Sequence, residues 1–296
     1  MGKILQGVFT ALTTPFENNE IAISHFRDNI QKYNACDLAG YVVAGSSGEA
    51  AYLTDEEAEI LVKKAVEASS PGKTIIVGTA RESTSSTTAF TNRMADLGAQ
   101  AALIRTPSYF KPAMTTDALK RYYYTIADEA RIPIIPYHIP QVTGLSIQQR
   151  LVTELSRHPN IIGIKDSSGN LPFLGEVMPL LPSDFSYLLG AGSVFFFGLL
   201  LGASGGILRL ADVIPGQCVN LYSAFLDGDA EKASSIQKAI IPLNNAIIQR
   251  YGIAGTKYAM DLAGFHGGPP RDPILPLDAE GKKAIERILK KLDLKG

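Results

Sequence analysis

A lysine stands where a buried strand should end. Ile161, Ile162, Gly163 and Ile164 form a short apolar run of the kind that makes a strand covered on both faces, and it stops at Lys165, followed by Asp166-Ser167-Ser168-Gly169. In an α/β barrel that end of a strand faces the active site. A free ammonium, with a pKa of about 10.4, is protonated at neutral pH and cannot attack a carbonyl. Desolvation at an apolar barrel mouth penalises the charged form, and lowering the pKa by roughly three units corresponds to about 4 kcal/mol of differential interaction. The neutral amine could then condense with a ketone or a 2-oxo acid as a Schiff base. The plainer alternative is a lysine that caps its strand and points into water, or pairs with Asp166.

Other strand ends offer partners. Tyr137 closes the apolar stretch Ile132–Tyr137 and falls on the strand before that of Lys165, so phenol and amine could converge and the phenol could move protons between carbinolamine, imine and enamine. Gly45-Ser46-Ser47-Gly48 supplies two hydroxyls and free backbone N–H groups, a small anion site suited to a carboxylate, or else an ordinary strand-to-helix turn. Glu49, next in line, reads as structural rather than as a base. His138 follows Tyr137 and either touches substrate or is a satisfied core histidine. The four histidines, His25, His138, His158 and His266, form no HxH or HExxH pair, so no metal is expected.

Eight strands must carry these residues. GVFTALTTPF at 7–16 reads as the first strand, and further strands are expected at 40–44, 74–79, 101–106, 132–137, 161–165, 185–189 and 205–210, with helices between them. Thr54 and Glu57 are spaced as a capping box at a helix start. Strands alternating with helices in this way fit a closed parallel (β/α)8 barrel, a TIM barrel. Beyond about residue 224 the alternation stops. Residues 1–224 are expected to form the catalytic barrel, and 225–296 a helical domain with helices over 229–251, 256–263 and from 278.

The composition closes off other classes. The chain has 296 residues, 46% of them hydrophobic and 19% charged, which is ordinary globular composition. With 28 basic and 29 acidic residues its net charge is −1, so no global field favours nucleic acid or a membrane surface. Cys36 and Cys218 have no ligand spacing and read as buried thiols. No secretory signal and no span-length apolar segment is seen, so a cytoplasmic protein is expected.

GVFTALTTPF, GSSGE at 45–49, TPSYF at 106–110, YHIPQVTG at 137–144 and GIKDSSGN at 163–170 together resemble the dihydrodipicolinate synthase / N-acetylneuraminate lyase family of pyruvate-dependent class I aldolases. The resemblance implies a TIM barrel with a C-terminal helical domain, a homotetramer, and no metal or organic cofactor beyond the covalent imine. By position it makes Lys165 the Schiff-base lysine and Tyr137 the proton relay, assisted by Ser46. Ser46 and Ser47, with Gly48, fall where the family binds the pyruvate carboxylate. Tyr109 matches a tyrosine that reaches across a dimer interface, and Ile207 a residue lining the pyruvate pocket. Val142 stands where the synthases carry a carboxylate-binding arginine, and an apolar side chain cannot replace a guanidinium. The segments 158–170 and 251–273 are most similar to 4-hydroxy-2-oxoglutarate aldolases. Cleavage or formation of such 4-hydroxy-2-oxo acids is therefore the leading expectation. Dihydrodipicolinate-type condensation, sugar-acid dehydration or aldol cleavage, and a non-catalytic 2-oxo acid sensor are the alternatives.

Overall fold

The computed structural model describes residues 5–292. Eight parallel strands close into a barrel in chain order: β1 (Gly7–Thr10), β2 (Gly40–Val43), β3 (Thr74–Gly78), β4 (Ala101–Arg105), β5 (Ile134–His138), β6 (Gly163–Asp166), β7 (Ser186–Leu189) and β8 (Gly205–Leu208). β8 returns to β1 with Phe9 opposite Ile207 and Thr10 opposite Leu208. The seam needs glycine, because a Cβ on Gly205 would come within 2.0 Å of the Gly7 carbonyl oxygen. The barrel is the fold expected from the β/α rhythm.

Two apolar layers hold it, and the two-residue period of a strand sorts side chains between them. Phe9, Val42, Ile76, Leu103, Ile135, Leu188 and Ile207 fill the interior. Val8, Tyr41, Val43, Ile104 and Tyr187 face outward against helices such as Ile23–Asn34, Asp55–Ala68 and Thr116–Glu129. The interior of the barrel is therefore a packed core, and space for chemistry is left only at its mouth. Thr54 caps its helix as expected: its side chain accepts from the Glu57 N–H, and the Glu57 carboxylate accepts from the Thr54 N–H.

Several boundaries differ from the sequence reading. β1 ends at Thr10 rather than running to Phe16, and Phe16–Glu17 pairs instead with Glu20–Ile21 in a small antiparallel hairpin. The helix expected over 229–251 ends at Asn245 and continues as a π-helical turn, Ala246–Arg250. Pro242 lies in its last turns and lacks the N–H that would support the regular ladder. The next helix starts at Gly252, four residues earlier than expected, and the last is Ala279–Lys291 with Asp278 as its cap. The helix Pro215–Leu226 runs through the expected domain boundary at residue 224. Cys218 is buried but Cys36 is partly exposed.

The C-terminal helices are tied to the barrel by a buried amide and a partly buried ion pair. Gln237 accepts from the Phe196 N–H and donates to the Gly192 carbonyl, and Arg271 forks onto Glu57. Among the described residues no helix is long and apolar enough to cross a membrane.

Candidate active site

Register decides what meets at the barrel mouth. Tyr137 on β5 pairs with Lys165 on β6, and His138 pairs with Asp166. Paired residues of parallel neighbours sit at one height on one side of the sheet, so amine and phenol converge: Lys165 Nζ lies 4.3 Å from the centroid of the Tyr137 ring. Both residues are buried. Burial pushes the Lys165 ammonium below its usual range; the Tyr137 contact opposes that shift, and the Arg209 guanidinium adds to it.

The alternative of a Lys165–Asp166 pair is not what the structure contains. Asp166 points to the other side of the strand, where its Oδ2 accepts from Tyr187 at 2.7 Å and from Ser168 Oγ at 3.0 Å. Burial alone would raise the Asp166 carboxyl, but the His138 and Tyr187 contacts outweigh it and hold the group below the usual carboxylate range. An ionised, fully engaged carboxylate therefore clamps the end of β6 and fixes where Lys165 emerges. His138 belongs to this clamp: Nδ1 is 2.9 Å from Asp166 Oδ1, and the ring packs on Phe173. Like Lys165 it is not on the cavity wall, and its described contacts run to Asp166 and Phe173.

A cavity of ≈ 480 Å³ occupies the mouth, with Ser46, Arg81, Arg105, Tyr137, Val142 and Arg209 on its wall. Lys165 adjoins it through Tyr137 and is not itself on the wall. Ser46 is exposed, whereas Ser47 is buried and accepts a hydrogen bond from Arg209 Nε at 3.0 Å. Gly48 is buried under Thr14, whose hydroxyl donates to the Gly48 carbonyl at 2.7 Å. Ile207 lies in the barrel interior with no exposure.

The Tyr137 hydroxyl has a partner that spacing did not suggest: Ser167 Oγ, two residues past the lysine, donates to it at 3.2 Å. Ser167 can stand there only because β7 is followed by Gly190, where a Cβ would fall 1.8 Å from the serine oxygen. Val142 is 64% exposed at the rim, and Tyr109 is 80% exposed, packed edge-on against Phe110 and off the cavity wall. Within one chain Tyr109 does not join Tyr137 and Lys165.

Glu49 is structural. Its carboxylate meets Lys257 Nζ at 2.5 Å, both side chains being inaccessible to water, and also accepts from the Arg271 N–H. The histidines are less scattered than their spacing suggests. His25 and His266 stack with ring centroids 4.1 Å apart, and with Asp28 they present ligand-type atoms all within 4.8 Å of one another. None of the three lines the cavity. The residues that spacing left unread are Ser167, Arg209 and Lys257. Arg209 alone carried a sequence signal, since it lies two positions beyond the interior residue Ile207 and so emerges on the same side of β8.

A closed (β/α)8 barrel with an amine buried at its mouth suits imine chemistry, and the family whose model the chain matches makes it a carbon–carbon lyase. The chain belongs to the dihydrodipicolinate synthetase family, whose model matches residues 4–292. It is 33% identical over 280 residues to a 4-hydroxy-tetrahydrodipicolinate synthase of Exiguobacterium sp., spanning 94% of this chain and 95% of the relative. Among solved structures it is similar to a dihydrodipicolinate synthase of Thermotoga maritima (TM-score 0.94, 26% identity, 98% of this chain and 99% of the other). It is also similar to the chloride-inhibited dihydrodipicolinate synthase of Acinetobacter baumannii complexed with pyruvate (TM-score 0.93, 27% identity, 98% and 99%).

Proposed function

We propose that this lyase is a Schiff-base enzyme that uses pyruvate, through Lys165, as the nucleophilic partner of an aldehyde. The observation that carries the reading is the buried amine in register with a phenol, with no carboxylate within ion-pair distance of it among the described residues. The neutral Nζ adds to the C2 carbonyl, and loss of water leaves an iminium. Removal of a C3 proton gives the enamine, which attacks the aldehyde carbon, and water then releases the product and the free amine. Run backwards, the iminium accepts the electron pair of the breaking C3–C4 bond, so the chemistry needs no further electron sink. Tyr137 moves the protons, and Ser167, by donating to the phenol oxygen, holds it toward the amine.

The names of the relatives favour condensation, as in 4-hydroxy-tetrahydrodipicolinate synthesis, over the 4-hydroxy-2-oxoglutarate reading that the sequence suggested. One observation supports the second reading: Val142, exposed at the rim, offers no charge to a semialdehyde carboxylate. Trapping with borohydride in the presence of pyruvate, followed by peptide mass spectrometry, tests the common step, and failure to modify Lys165 would remove the proposal. Aldehyde consumption with aspartate semialdehyde, set against pyruvate release from 4-hydroxy-2-oxoglutarate, separates the two readings. Tyr109 is then free to complete the site of a second copy, and light scattering on the intact protein tests whether a tetramer forms.

A further inference from the structure

Away from the barrel mouth, one cluster of side chains has no part in the chemistry above. His25 and Asp28 lie three residues apart near the start of the helix Ile23–Asn34 and so share a face of it. His266 reaches them from the segment that follows the helix Gly252–Leu262. One ring nitrogen of each histidine and an Asp28 oxygen lie within 4.8 Å of one another, with His266 Nε2 3.8 Å from Asp28 Oδ2. The backbone of His266 is fixed where it stands: its N–H donates to the Asn29 side-chain oxygen at 2.8 Å, and its carbonyl accepts from the Asn29 amide at 2.9 Å. Glu17, on the small hairpin, accepts from His25 Nε2 at 2.8 Å. With the proton on Nε2, His25 Nδ1 keeps a bare lone pair, and this nitrogen is buried with no hydrogen-bond partner. An imidazole with one nitrogen tied to a carboxylate and the other unpaired is the form in which histidine binds a metal ion. Burial, with His25 and Lys32 nearby, holds the His266 imidazolium below its usual range, so this ring also offers a lone pair.

We propose that His25, Asp28 and His266 bind one divalent transition-metal ion of the zinc class, with Glu17 orienting His25. Two imidazoles and one carboxylate suit Zn²⁺ or Cu²⁺, whereas Mg²⁺ and Ca²⁺ take oxygen ligands. Zinc holds nitrogen and carboxylate oxygen at about 2.0–2.2 Å, so ligand atoms around it stand roughly 3.3 Å apart. The three groups must therefore draw together, and because all three side chains are at least partly exposed, rotation about their own bonds supplies the closure. The two rings stack with centroids 4.1 Å apart and planes 21° apart, which sets their lone pairs side by side, so binding exchanges the stack for two metal–nitrogen bonds. Solvent water completes the coordination. The ion is structural and independent of the imine chemistry. It joins the first helix of the barrel to the segment whose later residues carry the Pro269 carbonyl to Lys257 and the Arg271 guanidinium to Glu57.

The test titrates zinc chloride into the full-length, untagged protein at neutral pH after chelator treatment, read by calorimetry. One equivalent per chain is expected to bind the wild type. Glu17→Gln should weaken that binding about 10-fold, the loss typical of an outer carboxylate, and His25→Gln, His266→Gln or Asp28→Ala should weaken it further. Zinc should also raise the thermal midpoint of the wild type and leave that of His266→Gln where it was. The control is His158→Gln, which removes a surface histidine paired with Asp128 and should leave the isotherm unchanged. A wild type without a saturable isotherm, unchanged binding in the His25→Gln/His266→Gln double variant, or binding lost in His158→Gln would each overturn the proposal. Electron paramagnetic resonance of the wild type carrying one equivalent of Cu²⁺ needs no variant. Hyperfine coupling to two imidazole nitrogens is expected, and coupling to fewer would overturn the assignment.

Discussion

Lys165 and Tyr137 show how far one side chain's behaviour is set by its immediate neighbours. The Lys165 ammonium is held below its ordinary value by burial, against the pull of the phenol. Imine formation needs the neutral amine, so the rate of pyruvate trapping should climb with pH and level off below the usual lysine value of 10.5. Tyr137→Phe removes a contact that favours the ammonium, so the rise should move to lower pH, and on the proposed proton relay the plateau should fall by about 10²-fold or more. A profile that moves to higher pH would mean that the phenol does not face the amine. Gly190→Ala should act through Ser167: displacing that hydroxyl from Tyr137 should lower kcat by roughly tenfold with little change in the half-saturating pyruvate concentration, as steady-state kinetics would read. The lysine and tyrosine were legible in the sequence because each terminates an apolar run. Ser167 was not, because which hydroxyl reaches a phenol depends on the room left by a glycine 23 positions later, just past the end of the neighbouring strand.

At the level of strands and helices, period and capping carried most of the information. Eight strands could be counted because each is a short, doubly covered apolar run, and the start of the helix Asp55–Ala68 could be placed because Thr54 and Glu57 bond each other's backbone. Thr54→Ala should cost about 1 kcal/mol, measured as a shift in the urea midpoint without a change in slope. Strand and helix ends were less legible where composition and pairing part company. Residues 11–16 have strand-like composition, yet β1 stops at Thr10 and the hairpin takes Phe16, a choice made by the partner available rather than by propensity. The π turn after Asn245 depends likewise on Pro242 and on the packing of the helices around it.

For the molecule as a whole, the connection that matters most runs between the GSSGE turn and the C-terminal helices. Lys257 is wholly buried, bonded to Glu49 and to the Pro269 carbonyl, and neither its position nor its partner follows from local pattern, since an isolated lysine in a helix normally reads as solvent-facing. Lys257→Met leaves the Glu49 carboxylate buried without its counter-ion, and should cost roughly 3 to 5 kcal/mol in chemical denaturation. Adding Glu49→Gln should restore a good part of that loss, since the uncompensated charge is the greater share of it. Glu49 also receives the Arg271 N–H across 222 residues of chain. Synthesis from the ribosome proceeds from the N-terminus. A growing polypeptide thus owns its lysine, its phenol and its serine turn well before it owns the residues that pin the turn in place. Emergence of Lys257 and Arg271, rather than completion of the eighth strand, is then the step that finishes the site, and fragments truncated before Lys257 should be inert towards pyruvate even where they collapse.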